Sequence, residues 1–559
     1  MNTAIAFQLL GGVGLFLYGI KLMGDSLQDL AGDRLRQLIA SLTSTSVKGI
    51  LAGTLVTMVI QSSSATSVMT VSFVHAGLMG LKQAISVMMG AAIGTTITAQ
   101  LIAFKIKEIA LPMIGIGMIF AVFGRSKKQK YIGNGLVGFS LLFLGMMHME
   151  GAMAFLRDRQ DIFMVFSSNP FMGVLAGTAL TMLVQSSSAT VGLTMVMASQ
   201  GLIDINGAIP ILFGDNIGTT ITAVIASLGL SRTAKQAAVS QVFFKVIGTI
   251  IFMAILPVFK SVVILTSNDI SRQLANAHTL FNVTNTLILL PFIDPLARLI
   301  EKVVPSKGEV TFTGPQYLDK RLVKASPAAG VEAVRKELIR LGSLVRNMMA
   351  YVYDAFETND HNDIGRVNRT EKMVNETTHT IASYASELFQ RSLSEELSVV
   401  LSSYVNGLGD IERIGDHAQN LIELFEYKYD HRLSFSKKAM EEFEDMFNTT
   451  TRAVDLCLEA IAEENQAKAV EVIDVLETEI DNKEKTLRKS HIKRLNTGKC
   501  QPASAVVFID ILSNLERIGD HAHNLSFIVL DVARVHKDQR SGKFMGRKPA
   551  DKKVFQHSP

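Results

Sequence analysis

The 559-residue chain has few cysteines, few charges and no nucleotide-binding glycine loop. Two cysteines, Cys457 and Cys500, are too few for a disulfide framework, and they suit a reducing, cytosolic compartment. The pattern Gly-x-x-x-x-Gly-Lys-Ser/Thr is absent, which disfavours an ATP-driven pump. Only 19% of the residues are charged, the net charge is +4, and there is no nucleic-acid signature, so nucleic acid is not expected as a partner.

The charged residues divide the chain into two parts. Up to about Arg298, hydrophobic runs alternate with short polar loops, whereas beyond Lys320 charged residues follow a helical periodicity. No basic residue precedes the first apolar stretch, so we expect a retained membrane helix there and not a signal peptide. The predicted domains are a membrane domain (1–300), a linker (301–330), a cytoplasmic helical domain (331–540) and a basic, disordered tail (541–559).

The apolar runs predict membrane spans at about 4–24, 84–104, 109–124, 131–149, 207–229, 237–258 and 277–298. The segments 48–78 and 171–201 are too broken to span, and we expect them to form re-entrant helical hairpins. Placing the basic loop 125–130 in the cytoplasm puts most basic loop residues and the C-terminal domain inside. Two repeats, 1–124 and 125–300, then have inverted topology, as alternating access requires.

The hexapeptide Gln-Ser-Ser-Ser-Ala-Thr occurs at 61–66 and again at 185–190, an offset of 124 residues. The same offset carries Ile-Gly-Thr-Thr-Ile-Thr-Ala from 93–99 onto 217–223. A single polar tract in apolar sequence can be a loop or a helix-packing patch. Two tracts in register, inside interrupted hydrophobic segments, indicate the substrate site of a secondary transporter.

These tracts suit an oxyanion and a small cation. Hydroxyl and N–H groups donate to oxyanion oxygens, and helix N-termini favour anions. Hydroxyl, amide and backbone oxygens can also ligate a hard cation such as Na⁺. Because the tracts contain no arginine, we expect neutral donors to bind the anion and mobile Na⁺ ions to balance its charge.

Paired Gln-Ser-Ser-Ser tracts, each followed by Ile-Gly-Thr-Thr, resemble the type II sodium/phosphate cotransporter family over residues 1–300. The resemblance implies an inner-membrane carrier of inorganic phosphate and sodium ions in the lipid bilayer, not an enzyme, with no catalytic residues. A homodimer is compatible with this reading. The residues that would line the shared site are Gln61, Ser62, Ser63, Ser64, Gln185, Ser186, Ser187 and Ser188, with Thr95, Thr96, Thr219 and Thr220 beside them.

The second repeat carries an acidic residue that the first lacks. Asp215 and Asn216 stand where the first repeat has Ala91 and Ala92. Asp215 is either functional, as a sodium ligand or as part of the charge stoichiometry, or it is an interfacial carboxylate near a helix start, and the sequence leaves these open. Asn216 is grouped with it as a candidate site residue.

Three further polar residues fall within predicted spans. Lys245 lies about two turns from the cytoplasmic end of its span, so we expect its ammonium group to reach the membrane surface. Asn282 and Asn285 are expected to form hydrogen bonds between packed helices.

A second repeat lies in the C-terminal half. Glu-Arg-Ile-Gly-Asp-His-Ala occurs at 412–418 and 516–522, an offset of 104 residues. The surrounding periodicity predicts an all-α domain of two consecutive three-helix bundles. The predicted helices cover about 331–358, 363–390, 393–428, 435–463, 465–494 and 502–538.

Paired carboxylates in this half predict metal binding. Residues four apart share one helix face, so each motif projects two carboxylates together. This half resembles PhoU, whose repeated acidic motifs bind metal clusters, and the resemblance implies a divalent metal or iron. The candidate ligands are Glu412, Asp416, Glu477, Asp481, Glu516 and Asp520. The first bundle has Glu371 and Asn375 where the second has Glu477 and Asp481, which weakens the expectation for the first.

The leading interpretation is a sodium-coupled phosphate carrier that its PhoU-like domain modulates. A carrier of another small anion, and a membrane phosphate sensor that signals to a cytoplasmic regulatory partner, are the alternatives. The sequence does not determine the direction of transport.

Overall fold

The computed structural model describes residues 3–41, 45–104, 107–154, 163–305, 315–358, 361–391, 393–498 and 500–541. These residues form helices and connecting turns with no β-strand among them, which confirms the all-α prediction for the described part of the chain. The chain divides into two compact units, Met1–Glu309 and Val310–Pro559. Residues 306–314 of the predicted linker, and the predicted tail after Ser541, lie outside the described residues.

The first unit contains α1 (Thr3–Ser41), α2 (Ser46–Ile60), α3 (Ser63–His75), α4 (Leu81–Gly94), α5 (Thr96–Ile102), α6 (Ala110–Phe123), α7 (Lys127–Met153), α8 (Met164–Ser168), α9 (Pro170–Val184), α10 (Ser187–Ser199), α11 (Ile205–Gly218), α12 (Ile221–Ser227), α13 (Arg232–Ala254), α14 (Leu256–Leu265), α15 (Ile270–Leu289) and α16 (Ile293–Val303). Its helices α2, α3 and α4 recur 124 residues later as α9, α10 and α11, with both ends of each helix shifted by that number. The sequence repeat is therefore also a repeat of local structure.

Six helical stretches in the described residues are long and apolar enough to cross a membrane. They are Thr3–Ala31, Leu81–Ile102, Lys127–Met153, Ile205–Ser227, Arg232–Ala254 and Ile270–Val303. Each overlaps one of the predicted spans, which supports a multi-pass membrane protein.

The predicted span at 109–124 is not one of these six stretches. It forms α6, which has only 14 residues. At 1.5 Å per residue this helix is about 21 Å long, shorter than the roughly 30 Å hydrocarbon core. Gly124 caps α6, and the capping box of Ser126 and Gln129 starts α7 at once. Local capping therefore ends α6 at Phe123, and this shorter apolar helix is not among the six stretches of spanning length.

Glycines allow two pairs of helices to pack with their backbones in direct contact. A Cβ at Gly53 on α2 would lie 2.1 Å from the Val87 carbonyl oxygen on α4. The second repeat has the same contact, because a Cβ at Gly177 would lie 2.1 Å from the Ile211 carbonyl oxygen. Small residues thus bring α2 against α4 and α9 against α11, a packing mode that membrane helices favour.

The second unit contains α17 (Lys320–Ala325), α18 (Pro327–Thr358), α19 (His361–Phe389), α20 (Glu395–Asp430), α21 (Lys437–Glu463), α22 (Gln466–Glu471), α23 (Glu477–Asn496) and α24 (Pro502–Ser541). A π-helical turn, Val472–Leu476, joins α22 to α23. Buried side chains from 323 to 535 form one continuous hydrophobic cluster, so both sets of three long helices contribute to the same core.

Candidate functional site

The repeated Gln-Ser-Ser-Ser tract forms the break between two helices. Gln61 ends α2 in the left-handed conformation, with φ of 57°, and the Ser62 hydroxyl then accepts a hydrogen bond from the Ala65 amide at 3.2 Å. Serine is a favoured helix N-cap because its oxygen satisfies an amide of the first turn. The tract therefore stops one helix and starts the next, and it leaves Ser63 at the N-terminus of α3.

The second tract repeats this geometry. Gln185 ends α9 with φ of 55°, and the Ser186 hydroxyl accepts from the Ala189 amide at 3.3 Å. A threonine pair ties each hairpin across its break. The Thr57 hydroxyl donates to the Thr66 hydroxyl at 2.8 Å, and Thr181 donates to Thr190 at 2.7 Å.

Both tips reach one small cavity, which we call the tip cavity. Ser63 from the first hairpin and Ser187 from the second line it, although they are 124 residues apart. Ala92 and Thr95 line it from the first repeat. The second repeat contributes Asp215 and Asn216 from α11, Thr219 directly after it, Gln241 and Lys245 from α13, and His278 from α15.

Six of the predicted transport-site residues therefore line the tip cavity: Ser63, Ser187, Thr95, Thr219, Asp215 and Asn216. The others do not line it: Gln61, Ser62, Ser64, Thr96, Gln185, Ser186, Ser188 and Thr220. Several of these shape the site indirectly. Ser62 and Ser186 cap the tip helices, and the Thr98 hydroxyl donates to Gln61 Oε1 at 2.8 Å.

Asp215 is fully buried among the packed helices. Its Oδ1 accepts a hydrogen bond from the Thr181 hydroxyl at 3.0 Å. Its Oδ2 lies 3.8 Å from His278 Nε2 and has no hydrogen-bond partner among the described residues. A buried carboxylate oxygen without a donor is expensive in free energy, which favours a cation or donor supplied by a ligand.

Lys245 does not reach a membrane surface as we expected, because only 3% of it is exposed. Its ammonium donates to Asn216 Oδ1 at 2.5 Å and to Asn282 Oδ1 at 2.9 Å. Packing of α13 against α3, α4 and α11 encloses it. A lysine side chain therefore lines the same cavity as the predicted hydroxyl donors.

Sequence reasoning missed Gln241 and His278. Gln241 Nε2 donates to Ser67 Oγ on α3 at 2.8 Å, which ties α13 to the first hairpin. Both His278 ring nitrogens are buried without a hydrogen-bond partner in the described residues. The available signal was the polarity of both residues inside predicted spans, because intramembrane polar groups are often functional.

A phenylalanine cluster holds the helices that carry these side chains. Phe213 on α11 lies 6.0 Å from Phe252 on α13 and 4.8 Å from Phe281 on α15, measured between ring centroids. Aromatic pairs at these distances stabilise helix packing beyond their buried area. The cluster therefore fixes the relative positions of α11, α13 and α15, and with them the polar wall of the tip cavity.

The second unit brings together three of the predicted metal ligands. One ligand oxygen from each of Glu477, Asp481 and Asp520 lies within 4.8 Å of the others. Glu516 lies one helical turn before Asp520 on α24, and burial, followed by the charges of Asp520 and Asp481, raises its pKa to about 7. Glu477 follows directly after the π-helical turn, a feature that is frequent at functional sites.

The first bundle is different. Within the described chain, Glu412 and Asp416 do not belong to any group of three metal-ligating side chains. On α19, the Asn375 amide donates to Glu371 Oε1 at 2.5 Å. An amide that donates to the neighbouring carboxylate competes with a metal for that oxygen, and asparagine itself adds no carboxylate charge.

The motif histidines connect the two motif helices. His417 Nδ1 lies 2.9 Å from Asn514 Oδ1, and His521 Nδ1 lies 3.0 Å from Asp410 Oδ1. The two imidazole rings stack with centroids 5.7 Å apart. The histidine of each motif therefore contacts the helix that carries the other motif, and these two contacts help to pack α20 against α24.

Comparison with known proteins explains both repeats. Residues 15–151 and 152–267 match the model of the Na⁺/Pi-cotransporter family, and residues 338–425 and 443–529 match the PhoU domain. The uncharacterized protein YqeW of Bacillus subtilis (strain 168) is 30% identical over 310 residues, which are 55% of this chain and 100% of YqeW. The chain belongs to the Na⁺/Pi-cotransporter family. It is therefore a transporter and not an enzyme, as the sequence predicted.

Two other relatives of this Na⁺/Pi-cotransporter family member have names that state a function. YjbB of Escherichia coli (strain K12), a candidate inorganic phosphate export protein, is 23% identical over 448 residues, covering 79% of this chain and 82% of YjbB. The sodium-dependent phosphate transport protein 2A of Ovis aries is 46% identical over 61 residues, which are 11% of this chain and 10% of that protein.

The two tip glutamines should differ in their contribution to stability. The Gln61 side chain is buried and hydrogen-bonded to Thr98 and to the Met58 carbonyl, whereas Gln185 is exposed. We expect Gln61→Ala to reduce the free energy of unfolding by about 1–3 kcal/mol, because it leaves a buried hydroxyl unpaired. Gln185→Ala is its matched control, with an expected change within about 0.5 kcal/mol. Thermal unfolding in detergent measures both, and equal shifts would contradict the assignment.

Proposed function

We propose that this protein transports inorganic phosphate together with sodium ions by alternating access to the tip cavity. The observation that carries the proposal is the position of Ser63 and Ser187. These serines begin the returning helices of two duplicated hairpins and line the same cavity. A single site built from equivalent positions of two repeats is the arrangement that inverted-repeat transporters use.

The chemistry of the tip cavity supports both cargoes. Serine and threonine hydroxyls and two helix N-termini are donors and positive dipole ends for phosphate oxygens. Asp215 Oδ2 and Gln241 Oε1, which have no hydrogen-bond partner in the described part of the chain, are acceptors for a hard cation such as Na⁺. The names of the sheep and Escherichia coli relatives, which specify sodium-dependent phosphate transport and phosphate export, agree with these cargoes.

Radiolabelled phosphate flux into proteoliposomes tests the proposal. We expect an inward sodium gradient to drive accumulation, and an equal potassium gradient to fail. Strong competition by dicarboxylates with weak competition by arsenate would instead indicate a carrier of other anions. Saturable phosphate binding without flux would indicate a sensor.

We further propose the topology. In this arrangement the two repeats (within 1–300) have opposite orientations in the inner membrane, and the PhoU-like domain (331–540) is cytoplasmic. The basic loop 125–130 supports this, because positive loop residues favour the cytoplasmic side. A homodimer and a cytoplasmic regulatory partner are consistent with it, and labelling of single introduced cysteines from either side tests the orientation.

We propose that the direction of net phosphate transport depends on the sodium gradient and the phosphate content of the cell. An inward sodium gradient favours uptake, whereas the candidate export function of YjbB and an attached regulatory domain favour release of excess phosphate. Phosphate release from loaded cells, with and without this protein, distinguishes the two directions.

The PhoU-like domain is proposed to bind a divalent metal or iron through its second bundle. We expect Glu516→Gln combined with Asp520→Asn to remove most of the bound metal and to alter regulation, because both changes remove carboxylate charge at the cluster. Oxygen ligands of this kind suit Mg²⁺, Mn²⁺ or iron. Elemental analysis of the purified protein measures the loss, and transport by residues 1–300 should persist.

The first bundle offers a matched control. Glu412→Gln combined with Asp416→Asn makes the same chemical change 104 residues earlier. We expect this variant to lose much less metal, because the Asn375 amide already donates a hydrogen bond to the Glu371 carboxylate in the first bundle. Equal metal in the parent protein and the second-bundle variant would contradict the site.

A further inference from the structure

Lys245 is a cation enclosed in the wall of the tip cavity. Its ammonium group donates to Asn216 Oδ1 and Asn282 Oδ1 at 2.5 and 2.9 Å. An ammonium group has three N–H donors, so these two bonds leave one for another acceptor. The two asparagines therefore hold the charge in place beside the cavity that the Lys245 side chain lines.

The neighbouring polar groups are incomplete without a ligand. Asp215 Oδ2, Gln241 Oε1 and both ring nitrogens of His278 are buried and have no hydrogen-bond partner among the described residues. Each of these side chains lines the tip cavity. Buried polar groups in native proteins are nearly always paired, so unpaired groups around one cavity indicate that a polar ligand completes it.

The charged wall comes from one repeat. At the offset of 124 residues, Asp215 and Asn216 on α11 correspond to Ala91 and Ala92 on α4. The carboxylate and the amide that holds the ammonium are therefore both replaced by alanine in the first repeat. Such a grouped difference favours a joint role at the site over an isolated packing role.

We propose that Lys245 binds the anionic substrate directly, as a fixed cation opposite the two serine tips. This proposal rests on the proposed transport function of the tip cavity. A lysine contributes a point charge and not the bidentate fork of arginine, so it attracts an oxyanion without holding it in a rigid two-point grip. The protein then supplies one positive charge to the anion itself, in the same cavity as the Asp215 carboxylate that the proposed function assigns to sodium.

The test compares the half-saturation concentrations of phosphate and sodium in proteoliposomes. We expect Lys245→Met to raise the phosphate value about tenfold or more, because a charged hydrogen bond is lost. Lys245→Arg, which keeps the charge, should have a smaller effect. The control is Thr249→Val, one turn further along α13 and outside the cavity lining, for which we expect the parental phosphate value.

An unchanged phosphate value in Lys245→Met would overturn the inference. If Lys245→Met does not fold, the double variant Asp215→Asn/Lys245→Met is used in its place, because it removes both buried charges together. Its half-saturating phosphate concentration is compared with that of Asp215→Asn alone. A higher phosphate value in the double variant supports direct binding, and equal values overturn it. Failure of the parent protein to bind phosphate is a different result, which would refute the proposed function itself.

Discussion

Replacement of Ser63 or Ser187 by alanine is expected to abolish most sodium-dependent phosphate flux while leaving membrane expression intact. Each serine begins a tip helix and lines the tip cavity, so each change removes a donor from a site with little water. Loss of such a donor costs about 1–3 kcal/mol of binding free energy. Neither serine is the N-cap, so the helix break at Ser62 or Ser186 should persist. Radiolabelled phosphate flux, normalised to purified protein, measures the effect.

The matched control for these variants is Ser72→Ala. Ser72 is buried on α3, its hydroxyl has no hydrogen-bond partner in the described structure, and it does not line the tip cavity. The second repeat has Val196 at the corresponding position, so an apolar side chain is compatible with this environment. We expect parental flux from Ser72→Ala. Normal transport in both Ser63→Ala and Ser187→Ala would refute the assignment of the tips.

Replacement of Asp215 by alanine is expected to change the apparent sodium affinity or the charge moved per phosphate. Alanine is its counterpart in the first repeat, so the backbone tolerates the change. The variant removes a fully buried carboxylate whose Oδ2 has no donor among the residues that the structure describes, and electrostatic interactions are strong in such a low-dielectric place. We expect about a tenfold or larger rise in half-saturating sodium, the usual size for loss of a charged ligand.

Asp215→Asn is the companion variant, because it keeps the size of the side chain and removes the charge. A similar sodium shift in Asp215→Asn and Asp215→Ala would assign the effect to the charge. Sodium titration of flux, together with current per phosphate, measures both. Unchanged sodium dependence and unchanged current in both variants would show that Asp215 has no part in coupling.

The tips were predictable because helix capping is local. A glutamine that ends a helix and a serine that starts the next need only neighbouring backbone groups, so Gln61-Ser62 and Gln185-Ser186 adopt the same conformation. The duplication then pointed to a shared site. The sequence could not separate the serines that cap, Ser62 and Ser186, from those that line the cavity.

Lys245 was not predictable in this way. Its distance along the helix from the membrane surface suggested an exposed ammonium, but burial depends on what packs around that helix. The partners Asn216 and Asn282 lie 29 and 37 residues away in the chain. Asp215 posed the same difficulty, because a carboxylate near a helix end is interfacial or buried according to the neighbouring helices.

The PhoU-like half shows the same division. Carboxylate spacing placed Glu516 and Asp520 on one helix face, and family resemblance suggested a metal. The meeting of Asp520 with Glu477 and Asp481 required the packing of α23 against α24. The sequence difference at Asn375 indicated a weaker first site, and its hydrogen bond to Glu371 supplied the reason.

By itself, the sequence determined the helical class, the two internal repeats, the helix breaks at the tips and the candidate acidic pairs. These features depend on hydrophobicity, capping and spacing, which act over a few residues. Only the tertiary structure decided that Ser63, Ser187, Asp215, Lys245 and His278 line one cavity. They come from five different helices, and close helix packing alone sets which of their polar groups meet away from water.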